Sequence, residues 1–172
     1  MPIREQALPN NAPLGPGLLA ARLEAYGVEV NIIDLNVYRI KDHISIKRRL
    51  ANGRVLNLSE VTQFLESFFS IKGEQDLVAL SGLITTLKWQ SDVTHIVRKI
   101  QPSVMIASGG GLATEFRQTL FEWIPELDAV AHSEGDDVIL KMALDARHVR
   151  RNNLKKELLS SSLEPYFVGV VD

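Results

Sequence analysis

Small residues follow two apolar runs of this sequence, and their placement is its clearest indication of chemistry. Ser81-Gly82-Leu83 closes the apolar run at 76–80, and Gly109-Gly110-Gly111 closes the run at 104–108. Short apolar runs bounded by turn residues are typical of buried parallel strands. Ligands of open α/β sheets bind beyond the carboxyl ends of the strands. Backbone with few side chains at that edge would let a phosphate or a large flat molecule approach closely.

The elements that must position these residues alternate along the chain. Between the two runs, apolar residues recur at helical spacing from Trp89 to Ile100, and Pro102 ends the pattern, which predicts a β-α-β unit. Similar patterns predict further helices at 19–26, 59–69, 114–123 and 136–143, and further strands at 28–34 and 128–132. This alternation predicts an α/β fold with a doubly wound, flavodoxin-like or Rossmann-like parallel sheet.

The first strand of such a sheet is missing or degenerate in the sequence. A buried strand should precede the helix that contains Leu18, but residues 1–13 are mostly polar and include three prolines. Two alternatives follow: the sheet lacks this strand, or another segment, such as the apolar residues 167–171, takes its place.

Composition limits the classes of function. The 172 residues predict one main domain at 1–146 and a basic C-terminal extension at 147–172. A net charge of -2 argues against nucleic acid as a partner, and no apolar run has the roughly 20 residues of a membrane span. Without a signal peptide, a cytoplasmic location is expected. The chain has no cysteine, which excludes thiolate-held iron–sulfur clusters within it.

Several motifs together resemble the cobalamin-binding (B12-binding) domain. The residues Ser81-Gly82-Leu83-Ile84-Thr85, followed by Gly109-Gly110, resemble the motifs that this family shows after its third and fourth strands. Pro13-Leu14-Gly15, Gly27-Val28-Glu29-Val30 and Ser133-Glu134-Gly135-Asp136 resemble one branch, the N-terminal domains of cobalamin-dependent radical SAM enzymes. The resemblance covers residues 13–143.

This resemblance implies cobalamin as the cofactor. It further implies a corrinoid-binding module that serves methyl transfer or radical SAM chemistry carried out with a separate unit, since no catalytic constellation is evident in this chain. Ser81 would bond a nitrogen of the benzimidazole tail, Leu83 would pack beside the tail, and the glycines would leave room for it. The implied cofactor-binding residues are Pro13, Leu14, Gly15, Ser81, Gly82, Leu83, Thr85, Ser108, Gly109, Gly110, Gly111, Ser133, Glu134 and Gly135.

Two departures from the family pattern shape these expectations. The motif Asp-x-His-x-x-Gly, whose histidine ligates cobalt in many cobalamin domains, is absent: His132-x-x-Gly135 lacks the aspartate and follows the wrong strand. We therefore expect no protein ligand to cobalt. The cysteine motif of the radical SAM half is absent too, so the chain is expected to be a carrier domain, a fragment or one subunit of a split system.

Two other functions stay open on the sequence. Residues 15–20 fit the dinucleotide pattern G-x-G-x-x-A, and Asp34 lies 19 residues after Gly15, near the spacing of a ribose-binding acid. That pattern requires a buried strand directly before it, which residues 10–13 do not provide. The other alternative is a degenerate module that acts only as an interaction domain.

Overall fold

The computed structural model describes residues 13–132, 134–152 and 166–168. Its longer helices and its strands alternate from residue 58 onward, as the sequence predicts. The helices are α1 (Leu14–Glu24), α2 (His43–Lys47), α3 (Leu58–Lys72), α4 (Leu87–Ile100), α5 (Gly111–Phe116), α6 (Leu120–Trp123) and α7 (Gly135–Asn152). The strands are β1 (Leu77–Ser81), β2 (Met105–Gly109), β3 (Ala129–Ala131) and β4 (Tyr166–Val168). Short 3-10 turns lie at Ile84–Thr86 and Arg117–Thr119.

The strands form one sheet in the order β1-β2-β3-β4. The first three are parallel, and β4 runs antiparallel beside β3. Helices cover both faces of this sheet. The predicted α/β, doubly wound class is therefore confirmed, with an antiparallel strand added at one edge.

Successive side chains of the strands point alternately to the two helical layers. Val104, Ile106 and Val130 join the larger core, which contains side chains of α3, α4, α5 and α6. Met105, Ala107 and Ala129 face the other way, against Val138, Met142 and Ala146 of α7. Leu23 of α1 completes that second layer by packing with Ile139 and Ala143 of α7. The sheet is thus buried between a layer of α3 to α6 and a layer of α1 and α7.

The predicted strand at 28–34 is wrong. This segment has no regular secondary structure, and within the described residues β1 pairs on one side only, with β2. Val28 and Val30 pack against the α1–α7 layer, whereas Ile33 and Leu35 pack against the larger core. The segment therefore lies at the margin of both layers, but it lacks the neighbouring strand that would make its backbone part of a sheet.

The C-terminal apolar residues do not fill the place of the first strand. β4 lies at the edge of the sheet opposite β1, and residues 169–171 lie outside the described ranges. Tyr166 of β4 is buried and its hydroxyl donates to Asp145 of α7. α7 itself continues across residue 147, the boundary predicted for a basic extension. None of the helices within the described ranges has the length and hydropathy of a membrane span.

Asp128 joins three elements at the amino end of the sheet. Its carboxylate Oδ2 accepts a hydrogen bond from the Ile106 backbone N–H at 2.7 Å and another from Arg98 Nη2 at 2.6 Å. Arg98 also donates to the carbonyl groups of Val104 and Glu126. Asp128 is only 3% exposed, so its charge is stabilised by these donors and not by water. The pair fixes the start of β2 and β3 to the end of α4.

We predict that Asp128→Ala lowers the free energy of unfolding by about 2 kcal/mol, because it leaves the buried Ile106 N–H without its acceptor and removes the charged partner of the half-buried Arg98 guanidinium. Urea unfolding followed by circular dichroism measures this change. Asp92→Ala is the matched control, since Asp92 pairs with the exposed Lys88 one helical turn away; its expected cost is below about 0.5 kcal/mol. Equal costs for the two variants would contradict the role given to Asp128.

Candidate functional site

The two small-residue turns meet at the carboxyl edge of the sheet. Ser81, the last residue of β1, stands in register with Gly109, the last residue of β2. Beyond the strands, the Leu112 backbone N–H donates to the Gly82 carbonyl at 3.0 Å. The structure therefore brings Ser81, Gly82, Gly109 and the start of α5 together at one place.

A second feature of this edge is a continuous surface of small side chains on the α1–α7 side of the sheet. Residues of β1, β2 and β3 that share this side are in register across the three strands. We call this surface the small-residue face; its two rows are Ala79, Ala107, Ala129 and then Ser81, Gly109, Ala131. At β2 and β3 these small side chains let α7 pack closely, with Ala107 and Ala129 against Val138 and Met142, whereas at β1 they are not covered by a helix.

The β1 end of the small-residue face is open to solvent. Ala79 and Ser81 are exposed, whereas Ala107 and Ala129 are buried. The Ser81 hydroxyl makes no hydrogen bond to another described residue. The Ser81 hydroxyl can therefore donate or accept a hydrogen bond at the entrance of a surface that is otherwise apolar.

Gly110 is required by backbone geometry. Its φ is +79°, and a Cβ at this position would lie 2.8 Å from the Ser81 hydroxyl oxygen. Gly111 begins α5, and a Cβ there would lie 3.1 Å from a methyl group of Leu83. The two turns are therefore in direct contact, and side chains at these glycines would separate them.

Ser108 and Gly82 belong to a polar network on the opposite side of the sheet. The Ser108 hydroxyl donates to Gln90 Oε1 at 3.1 Å, and Gln90 Nε2 donates to the Thr86 hydroxyl at 3.2 Å. A Cβ on Gly82 would overlap the Gln90 and Thr86 side chains. Ser108 and Gln90 are buried, so this network holds α4 against β2 beneath the Gly82 turn. Thr85 lies beside it, exposed, in the 3-10 turn.

Exposed apolar side chains lie at the same edge of the sheet. Leu83 and Ile84 are 62% and 51% exposed, and Leu14 and Leu18, in the first turns of α1, are 74% and 66% exposed. Pro13 precedes α1, and a Cβ on Gly15 would meet nothing within 4 Å. Exposed apolar residues in such number at one edge are typical of a binding surface.

The residues after β3 were expected to bind the cofactor, and the structure shows a packing role for one of them. Gly135 begins α7, and a Cβ there would lie 2.9 Å from Leu19 of α1, so this glycine permits close helix packing. Glu134 is exposed, and Ser133 lies outside the described residues. His132 directly follows β3 and is half-buried. Within the described ranges, no three His, Asp or Glu side chains are grouped in a way that could hold a metal ion.

Sequence reasoning missed the alanines of the small-residue face and Gln90. A signal for the alanines was present, since small residues occupy every second position in each of the three strand segments, at 79 and 81, at 107 and 109, and at 129 and 131. Gln90 had no such signal, because a glutamine on a helix is usually exposed.

The dinucleotide pattern does not form a phosphate-binding turn. Gly15 and Gly17 both lie inside α1, which begins at Leu14, and neither has a positive φ. A dinucleotide fingerprint needs its glycines in the turn between a strand and a helix. The structure thus gives residues 15–20 a helical role.

A separate cavity of about 410 Å³ lies near the amino end of the sheet. Residues of α3, of α4 and of the turns that follow these helices line it, among them Phe69, Gly73 and Gln101. The Gln101 amide is already engaged there, since it donates to the Gly73 carbonyl and accepts from the Gln75 N–H. This cavity is remote from the carboxyl edge and lacks the features described above.

Comparison with known proteins gives one distant similarity. The chain is 24% identical over 127 residues to the cobalamin-dependent radical SAM methyltransferase TokK of Streptomyces tokunonensis. The match includes 69% of this chain but only 19% of that protein, so the chain spans about a fifth of the relative's length. No protein-family model matches the sequence, and no solved structure matches it.

Replacing glycines of the site by alanine is expected to lower the free energy of unfolding by different amounts at different positions. Gly82→Ala is expected to lower the free energy of unfolding by about 2 kcal/mol, because the new Cβ displaces the buried Gln90 amide. Gly109→Ala is expected to change it by less than about 0.5 kcal/mol, because the nearest atom to its Cβ is 3.8 Å away. Urea unfolding of both variants tests this order, and a reversed order would contradict the network described at Gly82.

Proposed function

We propose that this chain is a corrinoid-binding module, which holds cobalamin for methyl transfer or radical SAM chemistry performed with a separate unit. The observation that carries the proposal is the small-residue face, which is open at Ala79 and Ser81 and bordered by exposed leucines. A corrinoid combines a large flat ring with a long nucleotide tail. The apolar edge suits the ring, and the uncovered small residues Ala79 and Ser81 suit the tail.

The chain's own residues would supply binding and orientation. Ser81 would donate its hydroxyl hydrogen to a ring nitrogen of the tail, and Ala79 and Gly109 would contact the flat face of the same group. Leu83 and Leu14 would shield the bound ring from water. When bound, cobalt would carry the methyl group, as is usual when a cofactor performs the difficult chemistry and the protein supplies the pocket.

The distant relative supports the same class of ligand. Its name describes a cobalamin-dependent radical SAM methyltransferase, whereas the present chain has no cysteine with which to hold an iron–sulfur cluster. The division of labour that we propose therefore assigns cobalamin to this chain and the radical chemistry to another unit. The methyl acceptor is left open by this proposal.

Incubation with hydroxocobalamin, followed by desalting and an absorption spectrum, tests the proposal. The unmodified chain is expected to retain the corrinoid, and Ala79→Leu is expected to weaken its affinity about tenfold or more, because the larger side chain fills the open end of the small-residue face. Ala79 is already exposed, so the Ala79→Leu variant should fold normally. Circular dichroism checks that point.

Ala25→Leu is the matched control for that experiment. It makes the same change at an exposed position at the other end of α1, and it should retain hydroxocobalamin as well as the unmodified chain does. Failure of the unmodified chain to retain the corrinoid would refute the proposal. Equal loss in both leucine variants would refute the role of the small-residue face.

A further prediction concerns the ligand of cobalt. The small-residue face presents no histidine, and His132 follows Ala131 on a strand whose successive side chains point to opposite sides. We expect bound cob(II)alamin to show no superhyperfine splitting from an axial nitrogen in its electron paramagnetic resonance spectrum. Splitting that disappears in a His132→Ala variant would identify His132 as a ligand and contradict this expectation.

A further inference from the structure

The segment between Leu35 and α3 carries a concentration of positive charge that the proposed cofactor site does not use. Residues 39–54 contain six Lys and Arg residues and one Asp, in a chain whose net charge is -2. In the middle of this segment, α2 and the turn after it expose both cationic and apolar side chains. We call the exposed side chains of this segment the α2 face; they are Lys41, Ile44, Ile46, Lys47 and Arg49, with Ile44 and Ile46 on opposite flanks of the short helix.

The α2 face is held by a rigid frame. Arg54 donates to the carboxylates of Asp42 and Glu60 at 2.6 to 2.7 Å, and these acids belong to the capping boxes of α2 and α3. The backbone of Ile40 is bridged to that of Arg54. Hydrogen bonds from Arg54 also hold the pKa of Glu60 below its ordinary value, so this carboxylate keeps its charge to a lower pH than a free glutamate does.

Buried residues anchor the same segment from below. Ser45 and Leu50 are 2% and 8% exposed, whereas Ile46, between them, is 76% exposed. An isoleucine that projects from a fixed helix into water gains nothing for the fold. A surface that is already rigid loses little conformational entropy when a partner binds, which favours recognition.

Arg49 occupies a position where glycine would have a lower backbone conformational energy. Its φ is +55°, and its N–H donates to the Ile46 carbonyl at 3.0 Å, in the left-handed turn that ends α2. This conformation is unfavourable for residues with a Cβ, and glycine usually fills the place. An arginine here gains no backbone energy over glycine, and its exposed side chain adds a positive charge to the α2 face.

The α2 face lies toward the same end of the molecule as the turns at Ser81 and Gly110. α3 ends at Lys72, shortly before β1 begins at Leu77. Because α3 leads into the start of β1, it runs antiparallel to the strands. Its first residue, Leu58, therefore lies toward the carboxyl edge of the sheet. Arg54, bonded to Glu60 in the first turn of α3, places the α2 segment at that end.

We infer that the α2 face docks an acidic protein surface with an apolar centre. Lys41, Lys47 and Arg49 would surround the contact with positive charge, and Ile46 would enter an apolar depression on the partner. This arrangement matches the usual form of protein interfaces, in which an apolar centre is enclosed by a polar rim. Docking of this protein partner does not depend on whether the chain binds a corrinoid.

Nucleic acid fits this surface less well. Binding of single strands relies on aromatic side chains that stack on bases, whereas the exposed apolar residues of the α2 face are isoleucines. The negative charge of the rest of the chain would also repel a long polyanion. A short acidic surface with an apolar centre avoids both problems.

Fluorescence anisotropy with a defined probe tests the inference. The probe is a fluorescein-labelled helical peptide with a stripe of leucines flanked by glutamates, and a labelled DNA duplex is the competing ligand. The unmodified chain should bind the peptide more tightly than the duplex at physiological salt, and added salt should weaken binding of the peptide. Ile46→Ser and Arg49→Gly should each reduce the affinity for the peptide about tenfold.

Arg117→Gly provides the matched control for Arg49→Gly. Arg117 is also exposed and has a positive φ of +47°, but it follows α5 and lies outside the α2 face. Both glycine variants should keep or raise the melting temperature, and Arg117→Gly should leave the affinity for the peptide unchanged. This combination separates a docking role from a structural one.

Other outcomes would overturn the inference. Tighter binding of the duplex would assign the surface to nucleic acid, and absence of peptide binding would remove the docking role. A lower melting temperature in Arg49→Gly would make that residue structural. Retention of hydroxocobalamin, measured on the same preparations, reports separately on the proposed cofactor function, so failure of one does not hide failure of the other.

Discussion

The parallel register of β1 and β2 is the constraint on which the rest of the molecule depends. Pairing of Leu77 with Met105 sets Ala79 opposite Ala107 and Ser81 opposite Gly109. Because strand side chains alternate, a slip of one residue would move these small side chains to the other side of the sheet. Val78 and Leu80, which now fill the larger core, would then occupy the α1–α7 side. Both the core and the small-residue face thus follow from one register.

The glycines at the carboxyl edge answer different physical needs. Gly110 satisfies a left-handed backbone, Gly82 makes room for the Gln90 amide, and Gly135 lets α1 approach α7. Gly109, by contrast, lies on the small-residue face, where a Cβ would make only an ordinary van der Waals contact with Ala131. A sequence motif of glycines therefore combines positions that the fold requires with one, Gly109, at which the fold tolerates a side chain.

The two surfaces at this end of the molecule differ in chemistry. The small-residue face is apolar, flat and formed by the sheet, whereas the α2 face is cationic and formed by a short helix that salt bridges hold in place. Such a pairing would suit the module that we propose, because a second protein could then make contact beside a bound cofactor without covering the strands that position it.

The sequence by itself determined the alternation of helices and strands from residue 58 onward and the meeting of Ser81 with Gly109, because short apolar runs and parallel strand direction are local signals. It misjudged residues 28–34, whose apolar pattern resembles that of a strand but whose backbone has no neighbour to pair with. Only the tertiary structure decided that Ser108 faces Gln90, that the alanines of three strands are in register, and that Arg54 joins two helix caps. These features arise from contacts between residues far apart in the chain, which no local pattern records.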